Sequence, residues 1–135
     1  MEFTIEEYSP DHLDWTQLVS VIEQEQQTGW AFNSHFETFP RYFLAAKHDG
    51  QIVGFLMFVL WEIGPHDRGH APLQIAGETL TEAKIIAFGV REAWRRQGIG
   101  RSLQEWVLAR ARRLGCHQVR SVSDPDCLGN HQLKL

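Results

Sequence analysis

The sequence is poor in the residues and runs that mark several large classes of protein. Its 135 residues include only two cysteines, Cys116 and Cys127, and these form no C-x-x-C pair. Two cysteines are too few for a disulfide framework. The longest apolar run, Ile52 to Trp61, is broken by Gly54 and is too short to span a bilayer as a helix. We therefore expect no membrane contact and a reduced, cytoplasmic setting.

An excess of positive charge and an apolar leader are also missing. The formal net charge is −4, which argues against binding nucleic acid through a general electrostatic surface. The first ten residues, MEFTIEEYSP, are acidic and contain no apolar core of the kind that signal peptides carry. With 43% hydrophobic and 22% charged residues, the composition is that of an ordinary globular protein. We expect one domain over residues 1–135.

The hydrophobic pattern predicts an α/β protein with a mixed sheet. Alternating or apolar runs predict strands, and apolar residues at helical spacing predict helices. The expected strands are Phe3–Glu7, Arg41–Lys47, Gln51–Ile63, Pro72–Ala76, Thr79–Val90 and Gln118–Ser123. The expected helices begin at Ser9-Pro10 and end at Gly29, occupy Ser34 to Thr38 as a short element, and run from about Ile99 to Leu114. Asp49-Gly50 between two strands predicts a tight hairpin.

One continuous stretch, Ala83 to Leu114, has the character of an anion site. It consists of an apolar strand ending at Val90, a loop that is first basic and then glycine-rich, and an amphipathic helix. The first N–H groups of a helix have no partner within the helix, and its dipole is positive at that end. Gly98 and Gly100 lack a Cβ, so the backbone there can approach a phosphate closely. Further positive charge comes from Arg95, Arg96 and Arg101.

Within this stretch, Arg95-Arg96-Gln97-Gly98-Ile99-Gly100 resembles the [QR]-x-x-G-x-[GA] signature of the GNAT superfamily of N-acetyltransferases. The apolar strand before the signature and the helix after it fit the family as well. The alternative is a structural turn that uses two glycines to begin a helix, and the order of strand, signature and helix favours the family. The resemblance implies a mostly antiparallel twisted sheet flanked by helices. It also implies that Thr79–Val90 and Gln118–Ser123 splay apart at the cofactor cleft. Since a glycine inside a strand often marks a bulge, we expect one near Phe88-Gly89.

The resemblance further implies acetyl-coenzyme A as cofactor and acetyl transfer to a primary amine of a small molecule or a protein. In the family, backbone amides of the signature hold the pyrophosphate, and the pantetheine arm lies between the splayed strands. A backbone N–H near Gly89-Val90 would face the thioester carbonyl. The implied cofactor-binding residues are Phe88, Gly89, Val90, Arg95, Arg96, Gln97, Gly98, Ile99, Gly100, Arg101, Ser102 and Asn130.

The group that removes a proton from the amine is open. Family members often use a strand glutamate or an ordered water, which makes Glu82 the candidate general base. The other candidates are Glu78, His66 and His70. For each of the four candidates, a solvated surface group is the favoured explanation. We expect no metal, because the two histidines lack a neighbouring cysteine or a helical i, i+4 frame.

The resemblance is weakest at the C-terminus. The family continues into a helix that opens with an asparagine and carries a tyrosine, the common proton donor to the leaving thiolate. Asn130 to Leu135 resembles the opening of that helix, whereas the tyrosine and the final strands are missing. Tyr8 and Tyr42 are the only tyrosines, and neither occupies that place. We therefore expect a C-terminally incomplete domain, whose exposed sheet edge favours a homodimer.

Two functions stay open at this point. The first is an N-acetyltransferase, and the second is a non-catalytic acyl-coenzyme A-binding or regulatory domain, which the missing tyrosine favours. The acceptor is not determined by the sequence. The aromatic stretch Trp30–Pro40 lies over the acceptor groove in the family, and aromatic residues that cap the core explain it equally well. The expected partner is an amine acceptor, with no nucleic acid and no membrane.

Overall fold

The computed structural model describes residues 2–63, 74–75, 78–121 and 132–134, with the backbone alone for 74, 75, 78 and 132–134. The helices are α1 (Trp15–Gln24), α2 (Thr28–Ala31) and α3 (Ile99–Arg113). The strands are β1 (Thr4–Tyr8), β2 (Arg41–His48), β3 (Gln51–Glu62), β4 (Gln74–Ile75), β5 (Glu78–Thr79), β6 (Thr81–Val90), β7 (Gln118–Ser121) and β8 (Gln132–Lys134). No helix in these ranges is long and apolar enough to cross a membrane.

Six strands form one sheet in the order β1-β2-β3-β6-β7-β8, and β4 pairs with β5 separately. All neighbours in the large sheet are antiparallel except β6 and β7, which run parallel. Parallel strands need a crossover connection, and α3 supplies it. This arrangement confirms the expected mixed α/β fold with a mostly antiparallel sheet.

The helices cover both faces of the sheet. On one face, α1 buries Leu18, Val21 and Ile22 against the sheet. On the other face, α3 presents a buried stripe at helical spacing, consisting of Ile99, Leu103, Val107 and Ala111. The two clusters are separated by the central strand β3, whose residues are buried along almost its whole length. The sheet is therefore the middle of three layers.

The two strands beside the parallel connection separate part-way along β6. The β6–β7 pairing extends from Glu82, opposite Gln118, to Ile85, opposite Ser121. Strand β6 continues to Val90. Within the described residues, the second half of β6 therefore has β3 on one edge and no strand on the other, which is the expected splay.

A β-bulge lies at Ile86. Met57 of β3 pairs with Ala87 and Phe58 pairs with Ile85, so Ile86 is the extra residue. Ile86 and Ala87 consequently both contribute to the α1 side of the core. We expected a bulge near Phe88-Gly89, and it lies two residues before Phe88. Gly89 has a different reason to be glycine, because a Cβ there would lie 2.9 Å from the Phe55 ring.

The hairpin between β2 and β3 confirms the Asp49-Gly50 prediction. Both residues adopt left-handed backbone angles, with φ of 49° at Asp49 and 79° at Gly50. A type I′ turn needs positive φ at both central residues, and its twist matches that of the flanking strands. This turn aligns β2 and β3 at the centre of the sheet.

The beginning of α1 differs from the prediction. The helix begins at Trp15 rather than at Ser9-Pro10. The His12 N–H donates to the Ser9 carbonyl at 2.9 Å, and the Asp14 N–H donates to His12 Nδ1 at 3.0 Å. These local bonds take donors that a helical turn would need, so residues 9–14 form turns instead.

The end of α1 also differs, because Gly29 does not terminate it. The helix ends at Gln24, and Gln26 adopts a φ of 60°. The Gln26 N–H donates to the Glu23 carbonyl at 2.9 Å, and the Gln27 N–H donates to the Ile22 carbonyl at 3.0 Å. This is the Schellman pattern, formed with glutamine where glycine is usual. Gly29 lies inside α2, and the short helix expected at Ser34 to Thr38 is a 3-10 turn over Ser34–Phe36.

Two further expectations concern the ends of the chain's later strands. Within the expected strand Pro72–Ala76, Gln74–Ile75 forms a strand that pairs with Glu78–Thr79, and the long strand expected from Thr79 begins only at Thr81. Gln132–Lys134 forms β8 against β7, so the expectation that Asn130 to Leu135 opens a helix was wrong there. Pairing with the edge of β7 satisfies the backbone groups that a helix would satisfy internally. His66, His70, Cys127 and Asn130 lie outside the described residues.

Candidate functional site

A cleft of 540 Å³ opens where the end of β6 meets the loop before α3. Its wall contains every residue implied in cofactor binding except Gln97, Ser102 and Asn130. The first two belong to the same loop and helix, and Asn130 lies outside the described part of the chain. The cleft also has three lining residues that the sequence analysis missed, namely Glu25, Gln27 and Trp94. The roles of all these residues stay predictions, but the fold does bring the lining residues together.

The N-terminus of α3 forms the floor of this cleft. The first helical hydrogen bond runs from the Ser102 N–H to the Gly98 carbonyl at 3.0 Å. No side chain among the described residues caps the helix. The N–H groups of residues 99–101 therefore precede the helical ladder, and the positive end of the dipole lies with them. A helix start of this kind stabilises an anion.

The two glycines of the loop are glycine for different reasons. Gly98 has a φ of 83°, and a Cβ built on it would meet nothing within 4 Å. Its requirement is conformational, because residues with side chains rarely adopt this angle. A Cβ on Gly100 would lie 2.9 Å from Phe88 Cζ. Gly100 is therefore needed for close packing of α3 on β6, in addition to any room it leaves for a phosphate.

The three arginines around the cleft also differ in what they contact. Arg95 donates from Nε to the Val90 carbonyl at 2.9 Å, and its guanidinium lies 3.5 Å from Glu25. Arg95 thus connects the loop to the end of β6 and to the region after α1. Arg96 and Arg101 are exposed, and Arg101 lies 3.2 Å from Glu105 one helical turn later. These two cations are available at the mouth of the cleft.

The backbone of β6 presents polar groups to the cleft. The Arg91 N–H donates to the Val53 carbonyl at 2.9 Å, and Val90 pairs with Gly54. Since antiparallel bonds alternate along a strand, Gly89 bonds to β3 and the N–H groups of Phe88 and Val90 face the other way. Phe88 is engaged there by Gln27, whose amide accepts from its N–H at 2.8 Å and donates to its carbonyl at 2.5 Å.

Local sequence patterns could not have shown the role of Gln27. It lies 61 residues from Phe88 along the chain. Nothing in the sequence around either residue indicates that they meet. Only the packing of α1 against the sheet brings the side chain to the strand.

Glu82, the candidate base, lies at the opposite end of β6. Eight residues separate it from Val90, which corresponds to about 26 Å along a strand. Glu82 is only 2% exposed. Its carboxylate accepts hydrogen bonds from Trp61 Nε1 and from the Gln118 amide, and lies 3.0 Å from the Arg120 guanidinium. It is not among the residues that line the cleft.

Lys84 lies beside this buried carboxylate. Its ammonium is 4.1 Å from the centre of the Trp61 ring. Burial lowers the pKa of Lys84 below its usual 10.5, and the nearby Arg120 lowers it further. The start of β6 is thus a half-enclosed ionic and aromatic cluster, distinct from the cleft at the end of the strand.

The remaining candidates for chemistry are few in the described ranges. These ranges contain no group of three His, Cys, Asp or Glu residues that could hold a metal ion. Cys116 is a buried free thiol, and burial raises its pKa. The side chains of Glu78, His66 and His70 lie outside what the structure describes, so their candidacy as a base stays a prediction.

Comparison with known families agrees with the geometry of the cleft. The sequence profile described as the acetyltransferase (GNAT) family matches residues 2–129. The chain belongs to the GNAT family. The resemblance carried by Arg95 to Gly100 is thereby confirmed over nearly the whole chain. A search among curated proteins finds no match to this GNAT sequence.

Solved structures share the fold of this GNAT chain at low sequence identity. An aminoglycoside acetyltransferase from an uncultured soil metagenomic sample is 20% identical with a TM-score of 0.67, over 93% of this chain and 82% of its own. An aminoglycoside N-acetyltransferase in complex with CoA is 15% identical with a TM-score of 0.63, over 91% and 81%. A ribosomal-protein-alanine N-acetyltransferase from Brucella melitensis biovar Abortus 2308 is 16% identical with a TM-score of 0.61, over 93% and 82%. Similarity at this level concerns the fold.

Proposed function

We propose that this GNAT protein binds acetyl-coenzyme A in the cleft between β6 and α3 and transfers the acetyl group to a primary amine. The observation that carries the proposal is that two kinds of binding surface lie in one continuous cleft. A helix N-terminus suited to phosphates and a strand edge on which the Val90 N–H faces outward border the same cleft. Such a cleft fits a ligand that has a pyrophosphate at one end and an amide-bearing arm at the other.

The phosphates lie against the loop in this proposal. The N–H groups of Ile99, Gly100 and Arg101 face them, with Gly98 holding the left-handed turn. Arg96 and Arg101, at the mouth of the cleft, offset the negative charge of the phosphates. Arg95 acts indirectly, because its bonds to Val90 and Glu25 hold the loop in place. Gln97 and Ser102 complete the set, and Asn130 stays a predicted contact.

The reacting end lies along β6. Acetyl-coenzyme A supplies a thioester, a carbonyl activated toward attack by an amine. Of the two residues expected to provide a backbone donor, Val90 is the better placed, because its N–H faces the cleft whereas that of Gly89 faces β3. A fixed donor of this kind stabilises negative charge that develops on the carbonyl oxygen. Phe88 and Gly89 shape the wall beside it.

Transfer to an amine also needs a group that takes a proton from the amine. Glu82 stays a predicted general base, and its carboxylate is occupied by Trp61, Gln118 and Arg120. That occupancy is the observation that keeps a second function open, a non-catalytic acyl-coenzyme A-binding domain. A free-thiol assay with a panel of amines separates the two. Thiol release above hydrolysis shows transfer, and its absence from a protein that binds the cofactor favours the second function.

The proposal extends to the class of acceptor and to the oligomeric state. The acceptor is an amine of a small molecule or a protein, and the names of the structural neighbours include both kinds. We propose a cytoplasmic setting. A homodimer also stays a proposal. Strand β8 pairs beside β7 along residues 118–120, so the outer strands of the described sheet are β1 at one side and β8 at the other, and β8 is the edge proposed for pairing. Sedimentation of a stable monomer at micromolar concentration would contradict the dimer.

The cofactor site is tested by calorimetric titration with coenzyme A. Arg96→Gln combined with Arg101→Gln removes two exposed charges at the mouth of the cleft and leaves Arg95, which is bonded to the Val90 carbonyl, in place. We expect binding to weaken roughly tenfold or more, since each charge-assisted phosphate contact contributes about 1 kcal/mol at a solvated site. Arg112→Gln combined with Arg113→Gln is the matched control, because it removes two exposed charges from the other end of the same helix.

The control should keep its affinity within about twofold. Equal losses in the two double variants would mean that general charge, not the cleft, attracts the ligand. No binding by the wild-type protein would contradict the proposed cofactor site.

A further inference from the structure

The side-chain amide of Gln27 occupies the free edge of β6 in the way that a neighbouring strand would. It accepts from the Phe88 N–H at 2.8 Å and donates to the Phe88 carbonyl at 2.5 Å. A residue of an antiparallel partner makes this same pair of bonds to the residue opposite. One carboxamide therefore replaces a strand at a single position, just beyond the point where the described β7 pairing ends at Ile85.

The surroundings hold this amide in place. Gln26, with a φ of 60°, ends α1 in the Schellman turn, and α2 begins at Thr28. Gln27 is therefore fixed between two helices, and its backbone N–H is bonded to the Ile22 carbonyl at 3.0 Å. Its Nε2 also lies close to Gly89, where a Cβ would be 3.4 Å away. The side chain thus lies directly across the cleft wall.

The position of the Gln27 amide has a physical reason. Backbone N–H and C=O groups that leave water without a partner cost free energy, so a part-buried strand edge needs hydrogen bonds. Gln27 supplies them for Phe88. A ligand whose own amide bonds to this edge needs the same two backbone groups. The two amides cannot both be bonded there.

We propose that Gln27 is an internal competitor for the amide-bearing arm of the ligand and must leave Phe88 when coenzyme A binds. This inference rests on the proposed coenzyme A site and adds a regulation of that site. When a binding-competent state is only partly populated, the apparent affinity falls by the populated fraction. The bonded form of Gln27 therefore weakens binding of the arm and leaves binding at the phosphate end unaffected.

The test compares two probes by calorimetry, coenzyme A and adenosine 3′,5′-bisphosphate, which lacks the pantetheine arm. Gln27→Ala and Gln27→Met both remove the competing bonds, and the second keeps most of the volume. We expect both variants to bind coenzyme A on the order of tenfold more tightly, the equivalent of one or two net hydrogen bonds. The affinity for the bisphosphate should stay within about twofold of wild type.

Gln17→Ala is the matched control. Gln17 is also a glutamine whose amide bonds to strand backbone, accepting from the Ile52 N–H at 2.6 Å and donating to the Gly50 carbonyl at 3.4 Å. It does not line the cleft. Its loss should leave the affinity for both probes unchanged. Amide hydrogen exchange at Phe88 should accelerate in the Gln27 variants and not in the Gln17 variant.

The outcomes separate this inference from the site on which it rests. Unchanged or weaker binding of coenzyme A in both Gln27 variants overturns the competition and makes Gln27 a ligand contact or a structural residue. A gain that appears equally with the bisphosphate also overturns it, because the arm would not be involved. Failure of the wild type to bind either probe overturns the cofactor site, and the competition with it.

Discussion

The two ends of strand β6 are built for different purposes, although only a few residues separate them. At its beginning, Glu82 and Lys84 lie between β3 and β7, and their side chains form a cluster of opposite charges with Arg120 over the Trp61 ring. At its end, Phe88 has β3 on one edge and a glutamine side chain on the other. At the first end the contacts are made by side chains, and at the second the backbone groups of the strand face the cleft.

The change between the two ends occurs at one place. Pairing with β7 stops at Ile85, and the bulge at Ile86 follows at once. The bulge shifts the alternation, so that Phe88 and Val90 pack with the α3 side of the core. Phe88 thereby comes under Gly100, and the strand end becomes part of the cleft wall. The extra residue, Ile86, thus marks the boundary between the enclosed ionic cluster and the cleft.

The largest effect is expected at the enclosed end, from Glu82→Gln. The change removes the anion beside Arg120 and leaves an amide N–H facing donors in a buried site. We expect a loss of about 3 kcal/mol in the free energy of unfolding, at the low end for a broken buried pair because Arg120 stays partly exposed. Urea unfolding at pH 7 measures it.

Glu105→Gln is the control for that measurement, since the Arg101–Glu105 pair is exposed and should contribute less than about 0.5 kcal/mol. A loss from Glu82→Gln no larger than the control's would show that the cluster is not stabilising. If Glu82 is the general base, this variant also loses turnover while it keeps coenzyme A affinity.

A smaller effect is expected at the open end, where Gly100→Ala is compared with Gly98→Ala. The new methyl group at Gly100 meets the Phe88 ring at 2.9 Å, which should cost about 2 kcal/mol through overpacking. At Gly98 the methyl group has space, and only the φ of 83° opposes it, at about 1 kcal/mol. Thermal unfolding of both variants checks the order, and the reverse order would contradict the packing of α3 on Phe88.

The smallest effect concerns the pH dependence at the enclosed end. Burial lowers the pKa of Lys84, so below 10.5 the unfolded chain holds this proton more firmly than the folded one. The free energy of unfolding should therefore rise as the pH increases through the lowered pKa toward 10.5. Lys84→Met should remove this rise. Denaturant titrations of the two proteins at several pH values measure the difference.

Lys47→Met gives the opposite sign for comparison. Its hydrogen bond to Asp14 raises the pKa of Lys47 above 10.5, so its contribution is complete below 10.5 and is lost at higher pH. A wild-type curve parallel to that of Lys84→Met over the whole range would show that Lys84 is as solvated in the folded state as in the unfolded one.

Local signals in the sequence were sufficient for several features. The Asp-Gly turn aligned β2 with β3, and the helix predicted from about Ile99 to Leu114 is α3, which Gly115 follows at a φ of 81°. The loop from Arg95 to Gly100 supplied the family and the main elements of the cleft. Each of these depends on a few adjacent residues, whose conformational preferences are strong enough to be read without the rest of the chain.

The predictions that failed rested on single prolines or glycines, whose local preference is weak. The proline at position 10 and the glycine at position 29 suggested limits for α1 that the helix does not have. Glutamine at position 26 takes the left-handed angle within the Schellman turn, whose bonds reach back to the Glu23 and Ile22 carbonyls. The glycine at position 89 suggested a bulge, whereas it provides room for Phe55. At Gly89 a tertiary contact outweighed the local preference, whereas at both ends of α1 hydrogen bonds between near neighbours in the chain did so.

The sequence by itself determined the order of strand, loop and helix, and hence the family and the location of an anion site. These follow from adjacent residues and from the charge and backbone freedom they carry. Only the tertiary structure decided that Glu82 is enclosed, that Arg95 is a connector, and that Gln27 bonds to the free edge of β6. These depend on residues far apart in the chain, and their contacts exist only after the helices pack on the sheet.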